Sequence, residues 1–333
     1  MKILYAIQGT GNGHIARAED IVPILREFGE LDLFVSGAQA DIKLSYPLKY
    51  KSKGLSFYFG KGGGVDIVKT LNRNSSKEVY KEVKHFPVEK YDLVINDFEP
   101  ISAWACRRKH VPCVALSHQS ALLSPLTPKP KVFDPVGEWI LKHYAPVDSS
   151  VGFHFARFDK NIFTPVIRSR IRNAKVENKG HYTVYLPAYD DKKLLPFFTK
   201  LKGVKWHIFS KHAKKPYHVG KLSVYPVNNE EFTLSMASSA GVLCGAGFET
   251  PAEALYLQKK LLVVPMKRQY EQHFNAAALK AMGVPVVKKI KKKHFEKIQQ
   301  WIETDQRIPV DYGDIAAQAV DDAIAMGKAM IKG

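Results

Sequence analysis

The segment from Cys244 to Ala276 carries residues whose types and order suit the binding of a phosphorylated ligand. It contains a glycine turn, Gly245-Ala246-Gly247, and a helical pattern that begins near Thr250. Glycine lets backbone N–H groups approach a ligand closely, and a helix N-terminus presents free N–H groups that favour phosphate. The residues that lead into the helix are Phe248, Glu249 and Thr250. We therefore expect a phosphate-binding turn over 245–250.

Acidic and amide side chains follow this turn at two places. Glu253 lies about one turn into the helix, within reach of a ribose beside the phosphates. Leu261 to Pro265 is a buried-strand pattern, and Glu271 and Gln272 come just past its carboxyl end. Open α/β sheets bind ligands at that edge. The segment thus predicts a nucleotide site with further polar side chains for a group attached to the phosphates.

A second glycine loop follows the apolar strand pattern Met1 to Ile7 and precedes a helical pattern. The loop contains Gly9, Gly11, Asn12, Gly13 and His14. Its spacing differs from the dinucleotide fingerprint, which also requires an acidic residue at the end of the second strand. That strand, Leu31 to Val35, ends in Ser36-Gly37 instead. A nicotinamide cofactor is therefore disfavoured.

Two further strand patterns end in side chains that can transfer protons. Asp97 and Glu99 follow the first strand, and His118 and Gln119 follow the second. Because neighbouring parallel strands end at one edge of a sheet, we expect these side chains in one crevice with His14. A histidine or a carboxylate there can deprotonate a hydroxyl. We expect His14 to be the general base, with a carboxylate orienting it and with His118 or Asp97 as the alternative base.

These motifs resemble the signatures of the GT-B glycosyltransferases, especially the MurG and monogalactosyldiacylglycerol synthase group (family 28). By this resemblance Gly247 sits at the donor turn, Glu253 holds the ribose, and Glu271 and Gln272 hold the sugar. The first loop is similar to the GGTGGH opening of that group, with Gly11, Gly13 and His14 in register. The run Ser117 to Ser120 resembles a shortened form of the group's His-Glu-Gln-Asn motif.

The resemblance implies an α/β fold of GT-B type, with two Rossmann-like parallel-sheet domains that face each other across a cleft. We expect an acceptor domain over 1–155, a donor domain over 156–312, and a helix over 313–333 that crosses back onto the first domain. One segment departs from the group's pattern. Leu186 to Asp190 replaces a GGSxGA loop, so basic side chains such as Lys211 would have to contact the donor phosphates in its place.

The implied activity is transfer of a sugar from a nucleoside diphosphate, a UDP-hexose or UDP-N-acetylhexosamine, to an acceptor hydroxyl. The resemblance further implies inversion at the sugar, no metal and no cofactor beyond the sugar nucleotide. A non-hydrolysing UDP-sugar 2-epimerase shares this architecture and is an alternative. A basic membrane-binding or nucleic-acid-binding protein without enzyme activity is another. The sequence identifies neither the sugar nor the acceptor. A lipid-linked acceptor and a saccharide acceptor are the two alternatives.

Composition and charge fit this class. The 333 residues suit two domains, and the three cysteines lack ligand spacing and fit a reducing cytoplasm. The formal net charge of +18 divides into +4 for residues 1–155 and +14 for residues 156–333. Such a surface attracts an anionic bilayer, and no nucleic-acid module accompanies it. We expect a cytoplasmic protein with peripheral contact at the inner face of the membrane.

Overall fold

The structure is a computed structural model that describes residues 1–37, 44–54, 76–131, 134–201, 203–267 and 269–332. The chain divides into two compact units. The first comprises Met1–Thr127, Val132–Arg168 and Tyr312–Gly333, and the second comprises Pro128–Lys131 and Ser169–Asp311.

Each unit is built on one sheet. The strands are β1 (Lys2–Gln8), β2 (Glu30–Ser36), β3 (Tyr50–Ser52), β4 (Leu93–Asp97), β5 (Cys113–Ser117), β6 (Ser149–Phe153), β7 (Ile162–Phe163), β8 (His181–Tyr185), β9 (Lys205–Ser210), β10 (Tyr217–Val219), β11 (Leu222–Pro226), β12 (Gly241–Gly245) and β13 (Lys260–Val264). The first sheet has the order β3-β2-β1-β4-β5-β6-β7, and all its strands are parallel. The second has the order β10-β11-β9-β8-β12-β13, in which only the β10–β11 pair is antiparallel.

Helices connect most of the parallel strands. They are α1 (Asn12–Leu25), α2 (Ser76–His85), α3 (Pro100–Lys109), α4 (His118–Leu123), α5 (Pro135–His143), α6 (Ser169–Arg172), α7 (Asp191–Phe198), α8 (Asn229–Ala237), α9 (Glu249–Tyr256), α10 (Tyr270–Ala281), α11 (Phe295–Glu303) and α12 (Ala316–Lys332). Every residue of β4, β5 and β13 is buried, as expected for parallel strands covered on both faces. The predicted α/β class is confirmed.

The first unit extends past the predicted boundary at residue 155. The sequence pattern places Phe163 to Ile167 in the second domain, but β7 pairs with β6, with Gly152 opposite Ile162. A strand of two residues is too short to show an alternating hydrophobic pattern in the sequence. Its backbone pairing with β6 places it in the first sheet. The first unit therefore continues to Arg168.

The C-terminal helix α12 packs within the first unit, against α1 and strands β4, β5 and β6. Gly327 makes the close approach possible, since a Cβ added there would lie 2.5 Å from the side chain of Leu93. Just before the helix, the Tyr312 hydroxyl donates to the carbonyl oxygen of Phe155 at 2.9 Å. These contacts tie residues 312–332 to the first sheet.

The second unit contains a pair of stacked histidines where α8 covers β8 and β9. The rings of His181 and His207 are 3.9 Å apart. Ser235 links them, because His181 Nε2 lies 3.0 Å from its carbonyl oxygen and His207 Nδ1 lies 3.2 Å from its hydroxyl. Both rings border an open groove of about 680 Å³ that Lys205 also lines. Burial, together with the charge of nearby histidines and Lys205, lowers the pKa of His207 to about 4.

This pair predicts acid sensitivity of the second unit. Between pH 6.5 and about 4 the unfolded chain binds a proton at His207 that the folded chain does not, so stability falls as the pH falls through this window. We expect the melting temperature to fall less between pH 7 and pH 4.5 in His207→Asn than in the wild type. The exposed His212→Asn serves as the control. Equal losses in His207→Asn and the wild type, by calorimetry, would contradict the prediction.

Candidate functional site

The first glycine loop ends β1 and starts α1 at the carboxyl edge of the first sheet. The Gly9 N–H donates to the Ser36 carbonyl oxygen at 2.6 Å, which turns the chain away from the strand. Gly11 has a φ of 125°, a conformation that favours glycine. No side chain caps the first turn of α1, and a helix start of this kind can bind an anion.

His14, in the first turn of α1, meets a buried carboxylate from β4. His14 Nδ1 lies 2.9 Å from Asp97 Oδ1. The guanidinium of Arg17, one turn further along α1, lies 2.7 and 2.8 Å from the two oxygens of Asp97. Side-chain exposure is 13% for His14, 2% for Arg17 and 0% for Asp97. His14 is therefore the member of this trio that solvent or a ligand can reach.

The electrostatics of the trio keep Asp97 ionised. Burial alone would raise the pKa of Asp97, but the charge of Arg17 and the contacts with His14 hold it below its ordinary value. An ionised carboxylate only accepts hydrogen bonds, so His14 carries its proton on Nδ1 and leaves the lone pair on Nε2. The amide nitrogen of Gln119 is 3.3 Å from that Nε2 and can donate to it. The structure thus brings His14, Asp97 and Gln119 together.

His118 has a different environment. Its side chain is buried, and its Nδ1 donates to the Phe153 carbonyl oxygen at 2.7 Å. The ring also packs edge-on against His154, with centroids 5.1 Å apart. His118 therefore supports the packing of α4 on β6, and its geometry does not favour it as the base.

Glu99 also serves the fold. It is fully buried and caps α3, because its carboxylate accepts from the backbone N–H groups of Ile101 and Ser102 at 2.8 and 2.6 Å. The hydroxyls of Ser36 and Ser102 add two bonds of 2.5 Å. Burial raises the pKa of Glu99 even though these groups donate to it. With its oxygens engaged in this way, Glu99 is not placed to contact an acceptor.

The second glycine turn follows β12 at the carboxyl edge of the second sheet. Gly245 and Gly247 are half-buried, and α9 begins at Glu249 with no side chain capping its first turn. A Cβ added at Gly247 would meet no atom of the described residues within 4 Å. The chain itself therefore does not require glycine there, whereas a ligand seated on the N-terminus of α9 would.

The other predicted donor residues lie around this turn with different exposure. Thr250 and Glu249 are half-buried in the first turn of α9, and Ala246 and Phe248 are buried. Glu253 is only 1% exposed.

Gln272 and Asn275 fasten the turn to α10. Gln272 Oε1 accepts from the Met266 N–H at 2.9 Å, and it lies 3.7 Å from the position of a Cβ added at Gly245. The amide of Asn275, which is fully buried, donates to the Ala246 carbonyl oxygen at 3.1 Å. Glu271 precedes Gln272 and is half-buried. The predicted sugar-binding pair thus adjoins the glycine turn within one unit.

Two carboxylates, Asp190 and Asp191, lie at the end of the loop Leu186 to Asp190 and just after it. The MurG group has a glycine-rich loop in this place. Asp190 caps α7 by accepting from the Lys192 N–H at 3.0 Å. Asp191 accepts from the hydroxyls of Ser210 and Tyr217. Burial would raise the pKa of Asp191, but these two hydrogen bonds keep it below its ordinary value. Two carboxylates disfavour phosphate at α7, whereas the N-terminus of α9 has no side-chain cap.

Two site residues have no motif in the sequence. Arg17 and Asn275 each lie three positions after a predicted residue, His14 and Gln272, on a helix. Residues three apart share a helix face, and this spacing is the signal that would have indicated them.

Within the described ranges, no group of three or more His, Cys, Asp or Glu residues could hold a metal ion. Among the helices of those ranges, none is both long enough and apolar enough to span a bilayer.

Known proteins share this architecture. MurG from Acinetobacter baumannii aligns with a TM-score of 0.59 and 14% identity, over 98% of this chain and 100% of its own. Arabidopsis thaliana UGT89C1, solved with UDP, aligns with a TM-score of 0.57 and 13% identity, over 99% of this chain and 98% of its own. Spinosyn forosaminyltransferase SpnP aligns with a TM-score of 0.55 and 11% identity, over 100% of both chains.

Identities this low establish the fold alone, and that fold is the expected GT-B type. No curated protein matches the sequence. Residues 1–305 match the family model described as glycosyl transferase family 1. The chain therefore belongs to glycosyl transferase family 1.

Proposed function

We propose that the chain transfers a sugar from a UDP-sugar to an acceptor hydroxyl, with inversion and without a metal. One observation carries the proposal: Nδ1 of the partly exposed His14 lies 2.9 Å from the ionised, buried Asp97, which leaves Nε2, beside the Gln119 amide, to accept a proton. Such an imidazole takes the proton of the acceptor hydroxyl as that oxygen attacks the anomeric carbon. The sugar–phosphate bond breaks in the same displacement, and UDP leaves with the bonding electrons.

The second unit would hold the donor. The uncapped N-terminus of α9 and the amides of the glycine turn would stabilise the charge that develops on the departing diphosphate. UDP is the simplest donor because UGT89C1 has been solved with UDP and with UDP-L-rhamnose. Glu253 would fix the ribose, and Glu271 and Gln272 would contact the sugar hydroxyls. Gln272 must release Met266 to do so.

Release of UDP separates this function from its alternatives. A transferase releases UDP faster when the acceptor is present. A 2-epimerase interconverts free UDP-sugars, and a non-enzymatic binding protein does neither. A thermal-shift screen of nucleotide-sugars identifies the donor first, since a ligand that binds only the native state raises its stability.

A lysine patch in the second unit is the proposed contact with an anionic membrane surface. An isolated bridge pairs Val263 of β13 with Val286. We define the patch by the exposed lysines on either side of this bridge: Lys267, Lys288, Lys289, Lys291, Lys292, Lys293 and Lys297. The positive charge of Lys291 lowers the pKa of Lys289, and Lys293 and Lys267 act in the same direction. Lysines close enough to repel one another gain when a polyanion neutralises them, and each adds about 1 kcal/mol near an anionic bilayer.

The first prediction concerns the base. We expect His14→Ala to lose about 10²–10⁴-fold in turnover and to keep the UDP affinity of the wild type, because His14 and the donor turn lie in different units. The measurements are UDP release and calorimetric UDP binding on the same preparation. His110→Ala, at an exposed histidine of the same unit, controls for the loss of an imidazole. Near-normal turnover in folded His14→Ala would remove His14 from the mechanism.

The second prediction concerns the donor turn. Gly247→Ala puts a methyl group into the space above the N-terminus of α9, and we expect UDP affinity to fall about tenfold, or about 1.4 kcal/mol. The melting temperature should stay near that of the wild type, since the added Cβ meets no described atom within 4 Å. Gly313→Ala, equally open, is the control. Unchanged UDP affinity in Gly247→Ala would place the phosphates elsewhere.

The third prediction concerns the lysine patch. We expect sedimentation with vesicles that contain phosphatidylserine but not with neutral vesicles, and a steep loss of binding at high salt. Reversing Lys289, Lys291 and Lys293 to glutamate should abolish the binding. Reversing the exposed Lys77, Lys81 and Lys84 of α2 is the matched control. Equal binding to neutral vesicles, or equal loss in both triple variants, would refute the patch.

A further inference from the structure

We propose that Arg17 is a positioning residue that sets how readily His14 accepts a proton, acting through Asp97. The proposal rests on the function proposed above, in which His14 is the general base. The charged group of Arg17 is almost fully enclosed, with 2% exposure. Burial of a guanidinium costs free energy unless the attraction to its partner offsets the desolvation. The partner here is Asp97, the carboxylate that contacts His14.

The contacts show that one carboxylate serves two positively charged partners. A single guanidinium nitrogen of Arg17, Nη2, reaches both Asp97 oxygens, at 2.7 and 2.8 Å. The same Nη2 lies 3.3 Å from His14 Nδ1. A nitrogen that carries protons and a protonated Nδ1 do not bond to each other, so Asp97 Oδ1 is the atom on which Arg17 and His14 converge.

The charges of the trio then determine its chemistry. With a neutral His14, the charges of Arg17 and Asp97 cancel. When His14 takes a proton, a second positive charge appears beside the guanidinium, and only one carboxylate compensates both. In a simple aspartate–histidine pair the carboxylate stabilises the imidazolium without a competitor. Arg17 therefore competes with an imidazolium at His14 for the Asp97 carboxylate and opposes its formation.

Other charged groups of the described chain lie on α1 and on the elements packed against it. Helix α1 itself carries Glu19, which accepts from the Ser45 N–H at 2.6 Å, and Asp20. Gln119, on α4, is neutral, and the buried Glu99 and His118 have the hydrogen-bond partners described above. Helix α12 packs on α1 and carries Asp321, Asp322 and Lys328. Lys328 lies 5.8 Å from the ring of Phe28, beyond the far end of α1.

The test uses the full chain in four forms: wild type, Arg17→Gln, Arg17→Lys and the exposed control Arg26→Gln. Two quantities are followed against pH. Nitrogen-detected NMR of labelled histidine gives the pH at which His14 takes its proton and the nitrogen that carries it, and UDP release gives turnover. We expect Arg17→Gln to shift the His14 titration upward by about one pH unit, and the acid limb of turnover to move with it.

Arg17→Lys should restore the wild-type titration, because it keeps the charge. An unshifted His14 titration in folded Arg17→Gln, or a shift equally large in Arg26→Gln, overturns the proposal. A uniform loss of turnover at every pH, with an unshifted titration, shows a structural role only and also overturns it.

If Arg17→Gln does not fold, Asp97→Asn tests the same charges from the other side. It leaves Arg17 beside His14 without the carboxylate, and His14 should then take its proton at a lower pH than in the wild type. An unchanged or higher titration overturns the proposal. The NMR titration does not depend on sugar transfer, so a shifted titration in a chain without transferase activity contradicts the proposed function and leaves the role of Arg17 standing.

Discussion

The site in the first unit depends on a charge buried at the end of a strand. Asp97 has no exposed surface, and an isolated carboxylate in that position would cost several kcal/mol. Compensation requires that α1 bring Arg17 and His14 to the end of β4, which is possible because β1 and β4 are neighbours in the sheet. The tight turn at Gly9 and the left-handed Gly11 let the chain leave β1 at the angle that this contact requires.

A second regularity separates helix starts that serve the fold from those open to a ligand. Five helices that follow strands have their first turn capped by a side chain: α3 by Glu99, α4 by Ser117, α7 by Asp190, α8 by Asn228 and α10 by Gln269. Helices α1 and α9 follow glycine turns and have no such cap. These two turns also carry the predicted chemistry, and the proposed function would place an anionic ligand at the start of α9.

The sequence alone was sufficient for features that depend on local pattern. Strand ends at Asp97 and Gly245 were readable because apolar runs stop there and polar or glycine residues follow. The GT-B fold and the glycosyltransferase family followed from the same segments. Arg17 was missed because its contact with Asp97 joins residues 80 positions apart. The sheet order that brings them together cannot be predicted from the local sequence of either segment. The predicted boundary at residue 155 precedes strand β7, whose place in the first sheet is set by pairing and not by periodicity.

Gln272 shows how one residue can belong to both the fold and the chemistry. Its amide holds the loop after β13 through Met266, and its oxygen lies beside Gly245. Asn275, one turn later, holds Ala246 independently. Because Asn275 holds the glycine turn to α10, Gln272 could, under the proposed function, exchange its bond to Met266 for one to a sugar hydroxyl without releasing the turn. The two tasks would then be divided between neighbouring positions on one helix face.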